Sequence, residues 1–345
     1  MSAGVSTQAE PVSADGEVLL SVRDVKKHFA GRRGRRGAGE TVYAVDGVSF
    51  DVHEGETLGL VGESGCGKST LARVLTGLYR PTSGSILLRG VDLQARGARK
   101  RIRGGLQMVF QDPAGSLDPR RKLADSVAEP LLGGATAKTR RARAAKMLER
   151  VGLDPSLGTR YPYQLSGGQQ QRACIARALI SDPSLIVLDE ALSSLDVSLQ
   201  AQVVDLLRSL QTQFRSSYVF ITHDLATAFE LSTRVAIMYL GEIVELVPVE
   251  VFQSSTLHPY SKALIDAILV PDPEIQRNRK ALLLEGEIPS AAHPPSGCRF
   301  HTRCPYAQDV CVSDRPALRL YGPDHWAACH FAGELPFSSG QEPDA

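Results

Sequence analysis

The stretch Gly62-Glu63-Ser64-Gly65-Cys66-Gly67-Lys68-Ser69-Thr70 decides the fold. It fits G-x-x-x-x-G-K-[ST], a loop whose backbone N–H groups cradle phosphates. Its flanks matter more than the pattern. ETLGLV (56–61) is a short apolar run that reads as a buried strand, and LARVLTGLY (71–79) reads as a helix with Ser69 and Thr70 at its N-terminus. Strand, glycine loop and helix is the context the motif requires. The glycines let N–H groups turn inward and approach an anion closely, and the helix N-terminus adds partial positive charge. Lys68 is placed to reach the β- and γ-phosphates, and the Ser69 hydroxyl to ligate Mg²⁺. A plain glycine-rich turn would need neither Lys nor Ser in register. Taken alone, the loop implies nucleotide binding and leaves open what the energy drives.

At 345 residues the chain exceeds the usual single domain, so one large domain with an extension is expected. A net charge of +1 supplies no drive for general phosphate neutralisation, and no nucleic-acid partner is expected. The basic clusters RRGRR (32–36), RGARKRIRG (96–104) and KTRRARAAK (138–146) read as solvated faces or loops. No apolar run reaches the length that crosses a bilayer. Residues 1–16 lack a basic-then-apolar leader, so the expected compartment is the cytoplasm. Four of the six cysteines crowd into about the last fifty residues, which in a reducing compartment suggests metal binding rather than disulfides.

Working outward, apolar strands alternate with helical stretches from VLLSVRDVKKHF (18–29) to VAIMYLGEIVEL (235–246), the last reading as a hairpin. The pattern implies an α/β domain with a largely parallel sheet, whose ligands sit at the C-terminal strand ends. Polar clusters fall at those ends. LIVLDE (185–190) buries a strand and projects two acids: Asp189, suited to hold Mg²⁺, and Glu190, placed to polarise an attacking water as general base. Gln111 follows the apolar strand of LQMVFQDP and is a candidate contact for Mg²⁺ and that water. His223 ends YVFITHD, where it is a candidate partner for a γ-phosphate. In LSGGQQQR (165–172), Ser166 and Gln169 form a capping box. Ser166, Gly167, Gly168 and Gln169 then offer a second anion site at a helix N-terminus. One nucleotide can use both sites if two such domains dimerise head to tail.

The set resembles the nucleotide-binding subunit of an ATP-binding cassette (ABC) transporter. The motifs run in family order: P-loop 62–70, Gln111, signature 165–172, Walker B 185–190, SSLD 193–196 and His223. The resemblance implies a P-loop NTPase cassette with a mixed sheet core, an antiparallel β subdomain and a helical subdomain. It implies ATP sandwiched between two such domains, with hydrolysis driving a membrane partner. Phe29 matches the aromatic that stacks on adenine, with Tyr43 as the alternative. Ala191 stands where the family commonly has Pro, which leaves the acids in place. AVDGVSF, GESGCGKSTLAR, VFQDPAGSLDPR, SLDVSLQAQVVDLL and LHPYSKAL (257–264) resemble the oligopeptide/dipeptide importer ATPases, and FQDP-x-x-SLDPR the second of their two ATPases. The resemblance implies a heterodimer with another ABC ATPase, two permease subunits, a substrate-binding protein, and a peripheral position at the cytoplasmic face of the membrane. Nickel and other small-solute importers share these motifs, and a soluble ABC ATPase without a transporter is the rival class.

Cys298, Cys304, Cys311 and Cys329 follow C-x5-C-x6-C-x17-C. Four thiolates suit a [4Fe–4S] cluster or tetrahedral Zn²⁺, and the lack of a close C-x2-C pair favours the cluster. The tail resembles the C-terminal extension of the oligopeptide/dipeptide ATPases, some of which carry such a cluster. Cys66 and Cys174 read as small packing residues. The expected layout is a disordered N-terminus (1–16), an ABC domain (17–250) with a helical subdomain at about 112–180, a small C-terminal extension with the four-cysteine site (251–333), and a disordered tail (334–345).

Overall fold

The computed structural model describes residues 16–31, 40–102, 104–131, 136–268, 282, 284 and 286–338. The expected disordered N-terminus therefore lies outside the described residues except for Gly16, and so does the RRGRR cluster.

Two sheets are built from twelve strands: β1 Val18–Ala30, β2 Thr41–His53, β3 Thr57–Val61, β4 Ser83–Leu88, β5 Val91–Asp92, β6 Leu106–Val109, β7 Leu185–Asp189, β8 Ser217–Thr222, β9 Arg234–Tyr239, β10 Glu242–Pro248, β11 Arg319–Gly322 and β12 His325–Ala327. The larger has the order β11-β12-β10-β9-β3-β8-β7-β6. It is parallel from β9 to β6 and antiparallel through β10, β12 and β11. Strands β3, β7, β8 and β9 are buried along their whole length. That is why they read as unbroken apolar runs rather than alternating ones. The smaller sheet, β2-β1-β4-β5, is antiparallel. It packs through Val22, Phe50 and Ile86 onto the helix Lys68–Leu75 that follows the P-loop.

A helical lobe formed by Leu123–Val127, Ala137–Arg150 and Gly167–Leu179 closes the other side. Leu123, Leu148, Ile175 and Leu179 share its core with Leu188 and Phe220 of the sheet. The mixed sheet, antiparallel subdomain and helical lobe agree with the fold class implied by the motifs.

Among the described residues, the chain beyond residue 250 builds no sheet of its own. β12 pairs with β10 (Glu245↔Ala327, Leu246↔Trp326), so β12 and β11 extend the main sheet. Trp326 enters the same core as Leu60 and Leu71. Glu245, fully buried, accepts hydrogen bonds from the N–H groups of Leu257 (2.8 Å) and His258 (3.0 Å) and meets His325 Nε2 at 2.7 Å. These partners offset the cost of burying a carboxylate. The packed chain also continues past 334, where a tail was expected. Leu335 is buried, the Phe337 ring lies 5.7 Å from that of Tyr306, and the Ser338 carbonyl accepts from Ser255 Oγ at 3.0 Å. The polar and glycine-rich surroundings of this segment hid its two apolar anchors. Among the described residues, no helix is long and apolar enough to cross a membrane.

Candidate functional site

The P-loop conformation depends on two glycines. Gly67 has φ 111°, and a Cβ there would lie 2.0 Å from the Ala44 carbonyl oxygen. A Cβ at Gly62 would lie 2.2 Å from the Met238 carbonyl oxygen. Neither position admits a side chain. Ser64 and Gly65 form the exposed crest of the loop, and Cys66 is buried beneath it. Burial pushes the Cys66 thiol up and keeps it a packing residue. Lys68 is only 4% exposed; its Nζ donates to the carbonyls of Gly62 (2.6 Å) and Glu63 (3.0 Å). Ser69 and Thr70 follow in the first helical turn.

The acids lie one strand beyond β8, at the ends of parallel strands, as expected. Ser69 Oγ donates to Asp189 Oδ1 at 2.9 Å, which brings together a hydroxyl and a carboxylate, the hard oxygen ligands Mg²⁺ takes. Burial raises the Asp189 carboxyl above the usual range, opposed by the Ser69 hydrogen bond. Glu190 adopts φ 47°, an uncommon backbone for a non-glycine residue. Its N–H donates to Ile221 O, and its carbonyl accepts from Ser193 N and Oγ. Gln111 Nε2 donates to Glu190 Oε2 at 2.8 Å, and His223 Nδ1 lies 3.7 Å from the same oxygen. Gln111, Glu190 and His223 therefore converge, beside the Ser69–Asp189 pair. A carboxylate held between an amide and an imidazole can accept a proton from a water.

Ser166, Gly167, Gly168 and Gln169 open the helix Gly167–Leu179 with the expected capping box: Ser166 N donates to Gln169 Oε1 at 3.0 Å and Gln169 N to Ser166 Oγ at 3.4 Å. Among the described residues, no hydrogen bond or ion pair joins them to the P-loop. Phe29 ends β1 with its ring edge-on to Tyr79 at 5.7 Å and the Lys27 ammonium 5.0 Å away. Tyr43 packs against His28 at 4.7 Å, and its N–H donates to Ala291 O.

Cys298, Cys304, Cys311 and Cys329 are all free thiols lining one small cavity, ≈ 10 Å³, room for about one water. Phe300, Phe331 and Leu335 share the lining. Burial pushes the thiols of Cys298 (to about 12), Cys304 (to about 11) and Cys329 (to about 11) up. Among the described residues, no group of three or more His, Cys, Asp or Glu side chains converges closely enough to hold a single metal ion. The preformed tetrahedral site that zinc would need is therefore not present among them.

Sequence reasoning assigned no role to two residues of the C-terminal extension that touch the P-loop. Tyr260 Oη accepts from Glu63 N at 2.9 Å, and Arg303 spans the Glu63 carboxylate with both terminal nitrogens. Only the position of Arg303 immediately before Cys304 could have drawn attention to it.

Comparison with known proteins bears on this geometry. The ABC transporter family model matches residues 45–193, and the model of the oligopeptide/dipeptide transporter C-terminal region matches residues 244–311. The oligopeptide transport ATP-binding protein AppF of Bacillus subtilis (strain 168) is 47% identical over 325 residues, 92% of this chain and 98% of AppF. The chain belongs to the ABC transporter ATP-binding family. A further ABC relative, the oligopeptide transport ATP-binding protein OppF of Salmonella typhimurium (strain LT2), is 49% identical over 310 residues, 88% of this chain and 93% of OppF. The dimeric ABC transporter cassette MJ0796 has a TM-score of 0.59 at 28% identity, covering 67% of this chain and 98% of its own. The ABC protein cbiO1 from Clostridium perfringens has a TM-score of 0.58 at 26% identity, covering 68% and 90%. As an ABC ATPase, the chain binds and hydrolyses ATP, and its P-loop, Ser69 and Asp189 fit Mg²⁺-ATP.

Proposed function

We propose that this chain powers the import of oligopeptides or dipeptides, as one of two ABC ATPase subunits bound to two membrane permeases at the cytoplasmic face. A substrate-binding protein would deliver the peptide. The observation that carries this reading is identity of 47–49% with oligopeptide transport ATP-binding proteins along nearly the whole chain, C-terminal region included. In this reading Gly62 to Thr70 hold the phosphates, with Lys68 on the β- and γ-groups. Phe29, or Tyr43, stacks on adenine. Ser69 and Asp189, with Gln111, would hold magnesium, which would supply charge neutralisation for the phosphates. Glu190 takes the proton of the attacking water while Gln111 and His223 hold that carboxylate in place. Ser166, Gly167, Gly168 and Gln169 serve the ATP of the partner ATPase.

The permease contact assigned here is the groove of ≈ 390 Å³ lined by Leu78, Met108, Phe110 and Pro130. Leu78 is exposed there, and Phe110 immediately precedes Gln111, so a permease segment in the groove would press on the strand end that reaches Glu190.

Cys298, Cys304, Cys311 and Cys329 are assigned a [4Fe–4S] cluster. Support comes from four free thiols that line one apolar cavity. Among the described residues no group of three or more His, Cys, Asp or Glu is placed to hold a metal ion, so the four cysteines would have to rearrange to take the cluster.

The test is co-expression with permease subunits of a peptide importer from the same genome, reconstitution into vesicles, and ATP hydrolysis with and without peptide and binding protein. Peptide-stimulated hydrolysis is expected. Recovery of no membrane subunit, or stimulation by nickel alone, overturns the peptide assignment.

A further inference from the structure

Glu63 is an unexpected side chain for an anion cradle, because its negative charge opposes a polyphosphate. The structure holds this residue at three points. Its N–H donates to Tyr260 Oη at 2.9 Å, its carbonyl accepts from Lys68 Nζ at 3.0 Å, and its carboxylate meets Arg303 Nη1 at 2.9 Å and Nη2 at 3.3 Å. Two of those three holds come from the C-terminal extension. The Arg303 side chain is 8% exposed and that of Glu63 26%, so water screens the pair in part, from the Glu63 side. Tyr260 is fully buried against Tyr239 and Phe300, which fixes its hydroxyl.

A second set of contacts runs in parallel. Arg299 pairs with Asp46 and Glu242 and donates to the Leu240 carbonyl. The next residue, Gly241, donates its N–H to the P-loop carbonyl of Cys66 at 2.8 Å. Arg299 directly follows Cys298, and Arg303 directly precedes Cys304. The short segment 298–304, which contains the turn His301–Arg303, therefore carries both the arginines that brace the loop region and two of the cysteines that line the cavity.

We propose that Arg303, assisted by Tyr260, is a positioning residue for ATP binding. It neutralises and anchors Glu63, and through it the cysteine turn sets the grip of the P-loop on the triphosphate. Arg303 touches no reacting atom; it acts on the nucleotide through Glu63. The Arg303–Glu63 part rests on the ATPase identity alone. The coupling to the cysteines rests on the reading that they hold a group.

The test measures ATP affinity by calorimetry, and KM and kcat where hydrolysis is followed, on the full chain. Arg303→Ala is expected to raise Kd and KM about tenfold with kcat within about twofold, the signature of lost binding rather than lost chemistry. Arg303→Lys should recover part of the affinity, since the charge returns without the fork. Adding Glu63→Gln to Arg303→Ala should recover most of it, because the opposing charge is then gone. An ion pair that only holds the fold would lower Tm and leave Kd unchanged. An Arg303→Ala protein with Kd within twofold of wild type, or a double variant no better than the single one, overturns the proposal. Should Arg303→Ala fail to fold, Tyr260→Phe removes one hydroxyl and should raise Kd about threefold; an unchanged Kd overturns the role of the extension. Cys304→Ser should shift Kd in the same direction. Unchanged affinity there, alongside a weakened Arg303→Ala, overturns the coupling to the cysteines while leaving Arg303 in its role.

Discussion

Replacing Glu190 by Gln separates the charge of this residue from its shape. Glu190 Oε2 accepts from Gln111 Nε2 at 2.8 Å and lies 3.7 Å from His223 Nδ1. A Gln side chain keeps an acceptor oxygen at the same reach. The backbone restraints also survive, because the bonds to Ile221 O and from Ser193 belong to the main chain. The folded protein should therefore lose less than about 1 kcal/mol. The lost element is the proton acceptor. A positioned general base contributes roughly 10²–10⁴-fold, so kcat should fall by that factor, a rise in barrier of about 2.7–5.4 kcal/mol. ATP affinity should hold or tighten. The Glu190 charge is among the influences that raise the Asp189 carboxyl, so its removal eases ionisation of the acid assigned to Mg²⁺. The assay is phosphate release at saturating Mg²⁺-ATP, with Kd measured in parallel. A variant retaining more than about one-tenth of wild-type kcat would remove Glu190 from the base role. A Kd weakened more than about tenfold would show that the residue holds nucleotide rather than activating water.

Three further outcomes are expected. Burial raises the Asp189 carboxyl, so the folded chain binds that proton more tightly than the unfolded chain, and stability is lost as pH rises from the unfolded value through the folded one. Asp189→Asn should therefore raise the Tm of nucleotide-free protein by a few degrees at neutral pH while abolishing hydrolysis, and a lower Tm would contradict the burial argument. Gly67→Ala puts a Cβ 2.0 Å from Ala44 O at φ 111° and should cost roughly 2–5 kcal/mol in urea unfolding, with ATP binding lost; a wild-type midpoint would refute it. Glu245→Ala strands His325 and two backbone N–H groups in the interior, so a loss of about 3–5 kcal/mol is expected, and a change below about 1 kcal/mol would show that β12 does not depend on that carboxylate.

The parts of the site legible in the sequence are those whose signal is local. Gly67 and Lys68 fall within one loop, the five residues of β7 announce a buried strand by composition, and Ser166 and Gln169 cap their helix three residues apart. Each reads correctly because nothing distant is needed to interpret it. The convergence of Gln111 and His223 on one Glu190 carboxylate oxygen depends on strand order, which no single stretch reveals, since these residues end neighbouring strands of a parallel sheet. The extension was harder. β12 has three residues, too few for a period, and its pairing with β10 crosses about eighty positions. Arg299 meets Asp46 across 253 residues, and Arg303 meets Glu63 across 240. No window of sequence contains both partners, so nothing local assigns the arginines a role.

That non-local wiring changes what counts as the nucleotide site. Tyr260, Arg299 and Arg303 all lie beyond residue 193, where the ABC transporter family model ends, and within the region matched by the oligopeptide/dipeptide C-terminal model. If the signature of a second ATPase supplies one wall of the ATP site, the chain's own extension reaches the loop from another. A carboxylate in the P-loop opposes the phosphates less where a cation is held against it, and here that cation is mounted on the cysteine turn. Glu63 and Arg303 then form a unit: retaining the acid while losing the arginine leaves an uncompensated charge beside the phosphates. The order of the two losses should therefore matter. Glu63→Gln should leave affinity near wild type or better, Arg303→Ala should weaken it, and only the second effect should depend on the residue at position 63.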